Sequence, residues 1–204
     1  MKDTKEQIMR EALRLFARDG YEAVSVSDIA GVLGITKGAL YRHYGSKRDI
    51  FEHILRRMEN DDFAGAEEHS LPTAELCEEN EAEYRKVSPE SLAEFAKTQF
   101  VYWTEDEFAA DFRRMLTLEQ YRDPEMSGLF GQYLGAGPLS YVEEILRSLG
   151  YPSPEMSAVR FYAPMFLFYS LHDHAAEEER PRVRATAFEC IDRITDELKK
   201  EKTI

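Results

Sequence analysis

The apolar positions recur at helical spacing along most of the chain. Ile8, Ala12, Leu15 and Phe16 share one face and Gly20 follows as a stop, which predicts a helix over 4–19. Ser25 is followed three residues later by Asp28, the spacing of a capping box, so a short helix should start there. It would turn Ile29, Val32 and Leu33 inward and end at Gly34 in a left-handed conformation. Thr36 can cap the next helix, over 37–44, with Leu40 and Tyr44 four apart and facing the core. Ser46 and Asp49 form a second capping box, opening a helix that buries Phe51, Ile54, Leu55 and Met58. Gly34-Ile35-Thr36 is then a tight turn between two short helices, the arrangement of a helix-turn-helix.

Further on, Pro89 suits the first turn of a helix ending near Trp103, and another spans about 106–120. Pro124 opens a third that is interrupted at 135–138 and ends at Gly150. Pro154 opens a fourth, to about His174, and the last starts near Arg182 with Ala187, Ile191, Ile194 and Leu198 on one stripe. Period-two alternation is missing, so the expected class is all-α. A three-helix head with the helix-turn-helix, residues 1–60, would be joined to a helical bundle, residues 61–204. Residues 61–87, acidic and containing Leu71-Pro72, read as the end of the fourth helix and a solvated connection.

Charge sharpens this division. The chain carries a net −13, yet residues 1–60 hold 11 basic and 9 acidic residues, against 15 and 30 in the rest. From Ile29 to Arg48 no carboxylate occurs, while Lys37, Arg42, His43, Lys47 and Arg48 all do. An acidic body with one acid-free basic segment points to a local polyanion contact. The start MKDTKEQ has no apolar run that could act as a signal peptide, and Phe161–Leu171 is too short to span a bilayer. A cytoplasmic protein without a membrane partner is expected, with Cys77 and Cys190 as ordinary thiols.

The segment SVSDIAGVLGITKGALYRHYGSKRDIF, residues 25–51, resembles the DNA-binding head of the tetracycline-repressor (TetR) family. The resemblance lies in the capped S-V-x-D-I-A start, G-I-T at the turn, K-G-A-L-Y in the recognition helix, and Tyr44 followed by a capped lysine, Lys47. It departs in Gly31 within the second helix and in Tyr44, where phenylalanine is commoner. Each residue also has a physical role to play. Thr36 and the N–H groups after it could take a phosphate, and Gly38 lets the helix approach a duplex closely. Lys37 could reach a guanine edge or a phosphate, and Tyr41, one turn on, a phosphate. Arg42 and His43 suit base edges or backbone, and Lys47 a phosphate clamp. Ser25, Ser27 and Ala39 complete the expected DNA-facing set.

LTLEQYRDPEM and FYAPMFLFYSLHD look like ligand and dimer helices of one branch of the same family. The resemblance implies a repressor that binds a palindromic operator as a homodimer and is released by a small-molecule inducer. Aromatics at helical spacing would be core in any bundle; here Phe95, Gln99, Tyr102, Trp103, Phe108, Phe112, Met115, Phe130, Tyr133, Phe166 and Tyr169 are expected to line an inducer pocket. Such a pocket suits an apolar or aromatic molecule, or a cationic one through Glu119, which otherwise sits at the rim in water. The apolar helix near 154–174, with the one near 182–200, is the expected dimer face. The rival is an all-α enzyme or metal-binding domain carrying the head as an interaction module. It would need a reactive cluster, and the sequence offers only His172 and His174. At i and i+2 these diverge on a helix, so no metal, cofactor or enzyme activity is expected.

Overall fold

The computed structural model describes residues 4–68 and 87–201, and among them the secondary structure is helical throughout. The connection expected over 61–87, with Leu71-Pro72 and Cys77, lies for the most part outside the described residues. The helices are α1 Thr4–Asp19, α2 Val26–Val32, α3 Lys37–Leu40, α4 Lys47–Glu68 and α5 Pro89–Glu105. They continue with α6 Glu107–Glu119, α7 Pro124–Leu134, α8 Ala136–Ser148, α9 Pro154–His174 and α10 Arg180–Glu201. Local chemistry sets most ends. Ser88 caps α5 with Pro89 in its first turn, and Pro154 opens α9. The interruption expected at 135–138 separates two helices, α7 and α8, which part at Gly135.

The chain forms two compact units. One is Met1–Asp62 with Glu107–Phe130; the other is Phe63–Asp106 with Gly131–Ile204. Residues 1–60, the expected head, share the first unit with α6 and with α7 as far as Phe130. In the first unit α1 buries Ile8, Met9, Ala12, Leu13, Leu15 and Phe16, a sector wider than the single stripe its pattern suggested. It therefore needs cover on two sides, and it packs against both α2 and α6. Phe108, Phe112, Met115 and Leu116 of α6 are all buried there. The Arg57 guanidinium lies 4.0 Å from the centre of the Phe108 ring.

In the second unit α10 packs on α5 and α9, and α9 on α5 and α8. The core contains Leu92, Phe100, Ile145, Leu146, Phe161 and Ile191. Outside it, α10 is tied to α5 by Lys97–Asp192 at 2.6 Å, Lys199–Glu90 at 2.8 Å and Arg184–Glu105 at 2.9 Å. Exposed pairs of this kind each contribute about 0–1 kcal/mol and serve register more than stability.

Candidate nucleic-acid interface

The site is built by three caps and a turn. Ser25 Oγ accepts from the Asp28 amide at 3.3 Å, while Asp28 accepts from the Ser25 amide at 2.8 Å, closing the predicted capping box. That arrangement holds the Asp28 carboxyl below its usual range. At the other end of α2, Gly34 has φ +66°. Its amide donates to Gly31 O at 3.2 Å and the Ile35 amide to Ala30 O at 3.0 Å, a Schellman closure that satisfies the last carbonyls within the helix itself. Thr36 then caps α3, its Oγ1 accepting from the Ala39 amide at 3.1 Å.

The helix after the turn is shorter than its pattern suggests. The expected helix over 37–44 is α-helical only through Leu40. Beyond it the Arg42 amide donates to Ala39 O at 3.3 Å and the His43 amide to Leu40 O at 2.8 Å, three-residue bonds that tighten the last turn. Leu40 and Tyr44 are buried as expected. Tyr44 also donates through its hydroxyl to Lys5 O at 3.1 Å, which fixes the far end of the segment to α1. Around these anchors Thr36, Lys37, Gly38, Tyr41, Arg42 and His43 are exposed, Tyr41 by 51%. Ser25 is exposed, and Ser27 and Ala39 are half-buried. A Cβ added at Gly38 would meet only Thr36 Oγ1, at 4.0 Å, so packing within the chain does not demand glycine there.

Electrostatics separates this segment from the rest of the head. Arg10 pairs with Glu6 at 2.6 Å, Arg14 with Glu11 at 2.8 Å and Arg18 with Asp19 at 2.6 Å. Arg48 is bidentate to Glu125 of α7, at 2.6 and 2.7 Å, and holds that carboxyl below its usual range. No described residue pairs with Lys37, Arg42, His43 or Tyr41. Among the described residues, the exposed segment thus presents Lys37 and Arg42 without a carboxylate partner.

Lys47, expected as a phosphate clamp, is held by contacts within the chain. Its ammonium donates to Tyr21 O at 2.7 Å and Glu22 O at 3.4 Å, and lies 4.2 Å from the centre of the Tyr21 ring. Two of its three donors thus face inward, and the side chain is only 22% exposed. The second capping box also shifts. Ser46 Oγ accepts from the Asp49 amide at 3.0 Å, but Asp49 reaches the Gly45 amide, at 2.8 Å, one residue earlier than expected.

The expected inducer residues divide between the two units. Phe108, Phe112, Met115 and Glu119 lie on α6, and Phe130 on α7, all in the first unit. Glu119, expected at a wet rim, is buried, and its Oε1 accepts from the Tyr21 amide at 3.2 Å and from Arg122 at 3.4 Å. It lies where the end of α1 meets the end of α6, a placement no local pattern could signal. In the second unit Gln99 accepts from the Trp103 indole N–H at 3.1 Å, and Trp103 meets Tyr102 and Tyr133 edge-on, with ring centres at 5.3 and 6.5 Å. Phe95 pairs with Tyr141, Tyr169 stacks on Phe100, and Phe166 is exposed beside Tyr162. Tyr162, absent from the expected set, is held by a bond from its hydroxyl to Leu134 O at 2.8 Å, and burial pushes that hydroxyl far above its usual range. His172 points into the core and His174 outward, bonded to Ser170 O at 2.7 Å, so the two imidazoles do diverge. No described helix is long and apolar enough to cross a membrane.

Comparison with known proteins adds a family to this geometry. Residues 8–54 match the model of the bacterial regulatory proteins of the tetR family. The HTH-type transcriptional regulator AcrR of Shigella flexneri is 38% identical over 58 residues, 28% of this chain and 27% of that protein. The chain thus matches about a quarter of that relative's length. Likeness in fold extends much further. A transcriptional regulator of Aquifex aeolicus superposes with a TM-score of 0.68 at 17% identity, covering 94% of this chain and 99% of that one. The SmeT–triclosan complex superposes with a TM-score of 0.59 at 20% identity, covering 94% and 89%. SmeT is the repressor of the Stenotrophomonas maltophilia multidrug efflux pump SmeDEF. Residues 8–54 of this chain are thus similar to the tetR-family head, and its fold is shared with solved transcriptional regulators along nearly its whole length.

Proposed function

We propose that the chain is a DNA-binding repressor that reads a pseudo-palindromic operator as a homodimer and is released by a small apolar or aromatic molecule. The observation that carries this reading is the segment from Lys37 to His43. Its apolar side is anchored at Leu40 and Tyr44, while its cations are exposed and lack partners among the described residues. Lys37, Arg42 and His43 address base edges; Ser25, Ser27, Thr36 and Tyr41 address phosphates; Gly38 and Ala39 let the backbone come close. Lys47 acts chiefly by holding the turn at Tyr21, with one donor left for a phosphate. The test is fluorescence anisotropy on a duplex selected in vitro from a random library with the wild-type protein. Lys37→Ala and Arg42→Ala should each weaken binding about 5- to 150-fold, the range of one base-edge contact. Unchanged affinity in both variants would refute this assignment.

Assembly is supported by α9, where Met156, Val159, Leu167 and Leu171 form an exposed apolar stripe with Phe166 at its border. Met156 and Leu167 are 61% and 59% exposed, and a second copy of the same face is its natural cover. The inducer reading rests on the cluster of Gln99, Tyr102, Trp103 and Tyr133, with one polar group amid aromatic rings. The SmeT–triclosan complex is a precedent for an aromatic ligand on this fold.

A further inference from the structure

Two helices of the head end in a left-handed glycine, and the two ends are closed differently. After Gly34, φ +66°, the Ile35 amide turns back to Ala30 O in its own helix, at 3.0 Å. After Gly20, φ +92°, the Tyr21 amide leaves α1 and donates to the Glu119 carboxylate of α6, 98 residues away in sequence. The carbonyl of the same Tyr21 accepts from Lys47 at the start of α4. Its ring lies edge-on to Phe16 at 5.0 Å and against Phe51 at 5.1 Å. One residue therefore meets α1, α4 and α6 at once, and the chain leaving it reaches the Ser25 cap four residues later.

We propose that Glu119 is a positioning residue for DNA recognition, acting through the Tyr21 amide. Helices α2 and α3 are 7 and 4 residues long, too short to be stable or oriented on their own. Their placement is set by what their ends are fixed to, and at the α2 end that fixture is Tyr21. The Glu119 carboxylate takes an amide that α1 leaves without a helical partner, and Gly20 leaves the room for it, since a Cβ there would collide with Glu119 Oε1. Without this acceptor the Tyr21 turn can shift, and the exposed segment loses its register against base edges. Loose, non-specific binding tolerates such a shift, because its electrostatic attraction to the phosphates is sequence-independent.

This inference rests on the recognition segment proposed above, and the test keeps the two apart. Full-length Glu119→Gln and Glu119→Asp are compared with wild type on the in vitro-selected duplex and on a scrambled duplex of equal length. Gln keeps an oxygen at the same reach and loses the charge; Asp keeps the charge and falls short by one methylene. The expected result is that Asp lowers affinity for the selected duplex about tenfold, the scale of one lost charge-assisted hydrogen bond. Affinity for the scrambled duplex should change less than about twofold, and Gln should retain most of the wild-type preference. In nitrogen–proton correlation spectra the Tyr21 amide should move in the Asp variant more than in the Gln variant. Equal loss on both duplexes, as from a smaller folded fraction, would overturn the inference. So would a Gln variant worse than Asp, which would assign the carboxylate to charge pairing with Arg122. Failure of the recognition segment itself would appear separately, as unchanged binding by Lys37→Ala.

Discussion

Replacing Gly20 with alanine should cost far more than replacing Gly34, and the difference measures a single contact. Both glycines have positive φ, +92° and +66°, where an L side chain costs about 1–2 kcal/mol. At Gly34 no heavy atom lies within 4 Å of an added Cβ, so strain is the whole effect. At Gly20 the added Cβ collides with Glu119 Oε1 and crowds Arg122 Nη1 at 3.3 Å. The carboxylate must swing away, leaving the buried Tyr21 amide without its acceptor, a further cost of about 1–3 kcal/mol. Gly20→Ala should therefore lose about 2–5 kcal/mol against about 1–2 for Gly34→Ala. Urea titrations of the full chain, followed by circular dichroism, give both values from midpoint and slope. The decisive control is the pair of variants in a Glu119→Ala background, where Gly20→Ala should fall to the cost of Gly34→Ala. Equal losses for the two glycines in the native background would refute the reasoning, because the contact would then carry no energy.

Other expectations follow from the same geometry. Lys47→Ala should lower the denaturation midpoint, because its ammonium holds Tyr21 O, while the exposed Lys37→Ala should stay within about 0.5 kcal/mol of wild type. In binding, Lys37→Ala should alter base preference in a repeated selection, and a wild-type preference there would argue against a base-edge contact. Leu167→Glu, at the middle of the exposed α9 stripe, should give a monomer in sedimentation at micromolar concentration, and an unchanged dimer would place the interface elsewhere. Trp103 is the chain's single tryptophan, so an inducer held beside it should quench fluorescence and weaken operator binding at the same concentration. Quenching without a change in DNA affinity would put a ligand site there but separate it from control of the head.

The legible part of the structure is the part written in rules that span three or four residues. The Ser25–Asp28 box, the Thr36 cap, the Gly34 stop and the inward Leu40–Tyr44 pair could all be read from spacing, because each is closed by bonds among near neighbours. What escaped depends on residues far apart. Lys47 looked like any basic residue beside a recognition helix, yet the Tyr21 carbonyl draws it inward. Glu119 looked like a solvated carboxylate at the end of a helix until α6 met α1. The grouping of 107–130 with the head was equally hidden, since the periodicity of α6 tells that a face is buried but not which helix buries it. The early end of α3 has a local cause, but bond tightening after Leu40 leaves no mark in the apolar pattern.

The brevity of the exposed segment limits how much information one head can extract. From Lys37 to His43 there are six steps along the chain, which at 1.5–2.0 Å each span about 9–12 Å. That is about three base pairs of duplex at 3.4 Å per pair, enough to distinguish about 64 sequences. Two heads of the proposed dimer would together distinguish about 4,000, while a genome offers about 10⁶ or more competing sites. A deficit of at least about 250-fold remains, and contacts to base edges cannot fill it. For the proposed dimer it would come from the spacing between half-sites and from sequence-dependent stiffness and groove width at positions that no side chain touches. Sequences recovered by selection should accordingly show two short, sharply defined blocks, and between them a composition bias that follows deformability rather than any single base.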